Sequence, residues 1–181
     1  MPIPIDYYLA PQSPWAYLGH ERFTRIAADA GATVRVLPVD LGAKVFPASG
    51  GLPLGQRPPQ RQAYRLVELA RWRDHLGMPL NIKPKFFPVP GDDAARLIIA
   101  VDQADGSTAA MRLTGAVLKA VWAQERDIAN AATRAELLAE CDLAAQRAID
   151  AKIFGAPSYC VDGEIFWGQD RLDFLQRRLA R

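Results

Sequence analysis

Apolar positions fall first into a short run, then a helical stripe, then a second short run, before any Gly- or Pro-rich stretch intervenes. Residues 3–9 combine aromatic and β-branched side chains and predict a strand. Over residues 15–30, Tyr17, Leu18, Phe23, Ile26 and Ala27 recur at helical spacing, and Gly31 is a natural terminator. Residues 33–39 alternate like a second strand and stop near Pro38. A β-α-β unit therefore opens the chain.

The pattern then changes. Residues 47–59 hold so much Gly and Pro that regular structure is not expected, and they read as a functional loop or as a linker into an inserted domain. Residues 61–75 return to helical spacing through Ala63, Leu66, Val67 and Ala70, with Gly77 as the stop. Residues 81–90 are extended and punctuated by three prolines. Three or four helical segments follow between 92 and 153, broken near Asp105-Gly106 and Ala129-Asn130. Residues 154–171 read as a turn, a strand, an Asp162-Gly163 hairpin, a second strand and the start of a helix, because Asp-Gly supplies the positive φ angles of a type I′ turn. The expected organisation is α/β: residues 1–40 with 150–181 form one domain, and 41–149 form a connecting loop and an all-helical insertion.

Composition narrows the function only by exclusion. At 181 residues, half of them hydrophobic and 23% charged, the chain is long enough for a sizeable core. A net charge of +2, with both signs interspersed, gives no footprint for nucleic acid or an anionic membrane. No basic leader followed by an apolar segment and no long apolar window is present, so the expectation is a cytoplasmic protein with no membrane partner. Cys141 and Cys160 match no metal-ligand or redox spacing and read as small buried hydrophobes. His20 and His75 are too few and too far apart for a metal site or a His-based triad, so no metal is expected.

Chemistry concentrates where the first strand meets the first helix. In thioredoxin-type proteins this junction carries Cys-x-x-Cys at a helix N-terminus, where N–H groups and the helix dipole stabilise a thiolate. Here the four positions read Ser13-Pro14-Trp15-Ala16. Such a site keeps anion-stabilising geometry but forms no disulfide, and it suits a thiolate supplied from outside, with glutathione the obvious source. Ser13 and Pro14 are also an ordinary N-cap and first helical residue, a reading that stands beside the chemical one.

Three segments together, residues 13–18, 154–158 and 166–172, resemble the 2-hydroxychromene-2-carboxylate isomerases. These are glutathione-dependent relatives of kappa-class glutathione transferases in the DsbA-like thioredoxin superfamily. The resemblance covers nearly the whole chain and implies a thioredoxin-like fold with a helical insertion, and a homodimer. It implies that Ser13 hydrogen-bonds the glutathione sulfur, and that Pro157 is a cis-proline whose neighbour Ala156 pairs with the cysteinyl backbone. Gln169 and Asp170 are implied at the γ-glutamyl end, Gln56 near the thiol, and Arg61 and Glu68 around the tripeptide. Ala10 stands where the family commonly has aspartate, and Gln56 where it often has asparagine. The implied reaction is thiolate addition to an aromatic α,β-unsaturated keto acid, bond rotation and elimination. Trp15 and Tyr17 are candidates for an aromatic pocket, and Lys44, Arg57 and Arg61 for the substrate carboxylate. Glutathione transfer, or a non-catalytic thioredoxin-fold binding module, are the alternatives.

Overall fold

The computed structural model describes residues 3–150, 158–167 and 171–180. The chain divides into two compact units, Met1–Leu138 and Ala139–Arg181.

In the first unit, β1 (Pro4–Leu9) pairs in parallel with β2 (Thr33–Pro38), in a register that sets Asp6 beside Arg35 and Tyr7 beside Val36. The crossover is α1 (Pro14–Asp29), ended by Gly31 at φ 60 as expected. Val34 and Val36 point into the core, while Arg35 turns outward and forms a two-pronged salt bridge with Asp6 at 2.9 and 2.7 Å. The alternation along β2 therefore decides both the packing and the surface pair.

Residues 41–56 are more ordered than their composition predicts. A π-helical turn (Leu41–Val45) runs into α2 (Phe46–Ser49), and a 3₁₀ turn (Leu54–Gln56) follows. The punctuating residues are the reason. Asp40 accepts the Ala43 N–H at 2.9 Å, Pro47 sits in the first turn of α2, and Gly50 closes it at φ 72. These signals shape short helices as readily as they shape loops.

α3 (Pro59–Leu76) ends at Gly77, which is left-handed at φ 61. Its inward face differs from the expected one. Leu69 is fully buried, with Arg65, Leu66 and Ala70 partly so, whereas Ala63 is exposed and Val67 is 46% exposed. Residues 81–90 form turns and bends rather than an extended strand. α4 (Asp92–Asp105) and α5 (Ser107–Trp122) pack against each other and onto β2, and α5 also lies along α1. α5 carries most of the core: Leu113, Thr114, Val117, Leu118, Val121 and Trp122 are all essentially inaccessible. The Thr114 hydroxyl is satisfied by the Ala110 carbonyl at 2.7 Å. α6 (Ala131–Asp150) begins in this unit, where Leu137 is buried.

In the second unit, β3 (Ser158–Val161) and β4 (Glu164–Trp167) form the expected antiparallel hairpin. Asp162 at φ 50 and Gly163 at φ 84 make the turn. α7 (Leu172–Leu179) packs on β4, and Arg178 ties Asp162 and Glu164 at 2.7 and 3.3 Å. Cys141, expected as a buried hydrophobe, is only partly buried. No helix among the described residues is long and apolar enough to cross a membrane.

Candidate functional site

Ser13 caps α1. Its backbone is extended (φ −79, ψ 124), its Oγ accepts the Ala16 N–H at 3.2 Å, and its carbonyl accepts the Tyr17 N–H at 3.1 Å. Pro14, at the first helical position, has no N–H. Of the donors that a helix leaves unpaired in its first turn, only the Trp15 N–H is open among these residues. The serine hydroxyl has used one lone pair and still holds its proton. Ser13 is partly exposed, so an incoming anion meets one O–H, one N–H and the positive end of a 16-residue helix. That arrangement fits the sulfur of a thiol cofactor.

The other predicted residues scatter in role. Trp15 is 45% exposed and stands beside this donor pair, whereas Tyr17 is buried and its hydroxyl donates to the Pro79 carbonyl at 2.6 Å. Gln56 is exposed in the 3₁₀ turn, Arg61 is exposed on α3, and Lys44 is exposed at the end of the π-helical turn. Arg57 is anchored: its Nε donates to the Leu52 carbonyl at 2.8 Å and its guanidinium lies 5.9 Å from the Phe46 ring centre. Glu68 pairs with Arg71 at 2.6 Å, and hydrogen bonds from Arg71 and Tyr64 hold its carboxyl below the ordinary range. Ala156, Pro157, Gln169 and Asp170 lie outside the described residues.

Sequence reasoning missed a cluster directly behind Ser13. Trp122, at the end of α5, donates its Nε1–H to the Gln12 carbonyl at 3.3 Å. Phe87 packs against it with ring centres 4.9 Å apart. The Arg65 guanidinium lies over both rings, 5.2 Å from the Phe87 centre and 5.7 Å from that of Trp122. Burial, and then the charge of Arg57, lower its pKa from the ordinary value. No ion pair or hydrogen bond from the Arg65 side chain is present among the described residues. One signal was readable: Arg65 is four residues before Leu69, on the same helix face.

Two cavities flank α1. The smaller, about 310 Å³, opens near its N-terminus between Pro11, Gln12, Val39, Asp40, Gly91 and Arg96. Gly91 leaves room there for the Gln12 side chain: a Cβ would meet Gln12 Oε1 at 2.2 Å and make that side chain shift. The larger, about 810 Å³, lies away from Ser13 between the second half of α1 and α5. His20 lines it and is buried. Its Nε2 lies 3.1 Å from the Met111 carbonyl and must donate there, which leaves Nδ1 to accept the Tyr7 hydroxyl at 3.4 Å. Burial lowers the His20 pKa and pushes Tyr7 up to about 12, so both stay neutral at physiological pH.

The chain is 27% identical to the 2-hydroxychromene-2-carboxylate isomerase of Pseudomonas putida over 203 residues, covering 98% of this chain and 94% of that protein. It is 26% identical to the isomerase of the same name from Sphingobium xenophagum, covering 97% of each. Among solved structures, a 2-hydroxychromene-2-carboxylate isomerase superposes with a TM-score of 0.50 at 26% identity, over 99% of this chain and 95% of that one. The cytosolic disulfide reductase DsbM of Pseudomonas aeruginosa, also solved with GSH, shares the fold at a TM-score of 0.54 and 18% identity, over 98% and 99% of the two chains. The family model described as a DSBA-like thioredoxin domain matches residues 4–148 and 139–180, and the chain belongs to that family.

Proposed function

We propose that this protein is a glutathione-dependent isomerase of aromatic keto acids of the 2-hydroxychromene-2-carboxylate kind, acting in aromatic catabolism. The observation that carries the reading is the nearly full-length similarity to isomerases of that name, in a chain whose α1 is capped by a serine. Bound glutathione would supply a thiolate for reversible conjugate addition to the alkene, the chemistry by which a double bond becomes free to rotate before the thiolate is eliminated with its electron pair.

The chain's own work is electrostatic. The Ser13 hydroxyl donates toward the sulfur, and the Trp15 N–H and the α1 dipole add to it, which lowers a thiol pKa from about 8.5 toward neutrality. The same donors stabilise the sulfur as nucleophile and as leaving group, so no protein nucleophile is needed. With alanine at position 16, no second thiol exists there to resolve a mixed disulfide. Gln56, Arg61, Glu68, Ala156, Pro157, Gln169 and Asp170 remain the proposed contacts to the rest of the tripeptide.

The test is conversion of 2-hydroxychromene-2-carboxylate to trans-o-hydroxybenzylidenepyruvate, followed by absorbance with and without glutathione. Turnover that requires glutathione and falls ~10²-fold in Ser13→Ala is the expected result, the scale of losing one preorganised donor. Turnover without glutathione, or undiminished in the variant, refutes the assignment.

A further inference from the structure

We propose that Arg65, seated over Phe87 and Trp122, forms a binding site for the carboxylate of the ligand that reacts at Ser13. The inference rests on the isomerase reading for the ligand's identity, and on the structure for the site. A guanidinium with five N–H donors is held partly buried, and no carboxylate, carbonyl or hydroxyl among the described residues accepts from it. Both rings lie on one side of the guanidinium, with their centres 4.9 Å apart. A half-buried cation with no anionic partner in the fold can take one from a ligand.

Location supports the same conclusion. One indole separates Arg65 from the backbone of Gln12, the residue before Ser13, because Trp122 touches both. Arg57 brings a second positive charge close enough to depress the pKa of Arg65. An anion at Arg65 would relieve that repulsion. A carboxylate matches the guanidinium edge in a planar, two-pronged contact, and the ring of an aromatic acid would meet the tilted aromatic pair of Phe87 and Trp122. The carboxylate could come from the aromatic keto acid or from the tripeptide; the chemistry at Arg65 is the same.

The experiment compares wild type with Arg65→Met, which keeps a long side chain on the aromatic shelf, and with Arg65→Lys. Two readouts separate the sources: kinetics with 2-hydroxychromene-2-carboxylate against its methyl ester, and glutathione affinity by calorimetry. If the keto acid is the ligand, KM for the acid rises roughly 10- to 100-fold in Arg65→Met, the ester is unaffected, and glutathione affinity holds. Arg65→Lys then recovers part of the loss. If the tripeptide is the ligand, glutathione affinity falls by that factor and the acid-to-ester ratio stays constant. Equal losses with acid and ester, or no change in either readout, overturn the proposal. Should wild type isomerise nothing, the functional reading fails alone, and titration of the glutathione-free protein with cinnamate and methyl cinnamate decides the site. Cinnamate binding that is lost in Arg65→Met upholds it, and binding that is equal in both proteins overturns it.

Discussion

Two helices of the first unit each turn one polar side chain inward, and the contrast between them separates architecture from recognition. On α1, His20 is 6% exposed, and both ring nitrogens have partners from other elements, Met111 on α5 and Tyr7 on β1. On α3, Arg65 has two aromatic rings and a neighbouring positive charge, and no acceptor among the described residues. A polar group whose hydrogen bonds are complete within the fold holds three elements together. A charge whose bonds are incomplete destabilises the fold it sits in unless a ligand completes them.

This difference has a sign that stability measurements can read. Replacing His20 by leucine removes the tie to the Met111 carbonyl and strands the Tyr7 hydroxyl, and urea denaturation should report a loss of ~1–3 kcal/mol. A neutral result would mean that the two partners find other bonds and that His20 is no tie. The pH dependence gives a finer version of the same test. Because the folded-state pKa of His20 lies below the ordinary value of 6.5, the imidazole is neutral in both states above that pH and contributes no slope there. As pH falls through about 6.5, the unfolded chain takes up a proton that the folded chain refuses, so stability drops until the folded pKa is reached. Denaturation midpoints at pH 7.5 and 5.5 should show this slope, at most about 1.4 kcal/mol per pH unit for one group, and His20→Gln should be flatter. The smallest effect is expected at Arg65. Without ligand, Arg65→Met should leave stability unchanged within ~1 kcal/mol or raise it, since an uncompensated charge is removed and the hydrophobic stem is kept. A loss as large as that of His20→Leu would erase the contrast and make Arg65 a structural residue too.

The same pair of residues shows how far the sequence could be read. The β-α-β opening, the breaks at Gly106 and Asn130 and the Asp162-Gly163 turn were all legible, because glycine, proline and capping side chains act locally. The inner faces of α1 and α3 were not. Apolar periodicity selected Ile26, which is 54% exposed, and Val67, while the helices turned His20 and Arg65 inward. A binary pattern counts histidine and arginine as surface residues. It has no way to see a tyrosine hydroxyl thirteen residues back, or a tryptophan on a distant helix, that makes their burial tolerable. In the candidate site the cap Ser13 was legible for the complementary reason: its interactions are with its own next three or four residues. The aromatic shelf beside it is assembled from α3, the 81–90 loop and α5, and no local pattern connects those segments.

Pro14 makes the mouth of α1 discriminating. Helix N-termini that present three or four free N–H groups are natural seats for phosphate and sulfate, which spread their charge over several oxygens. With a proline at the first position and two of the following amides already engaged, α1 offers one amide and one hydroxyl. A tetrahedral oxyanion would find most of its oxygens unserved, whereas a single polarisable atom carrying a whole charge would find all it can use. The ring of one proline thus filters the abundant anions of solution before any side chain of a substrate is read.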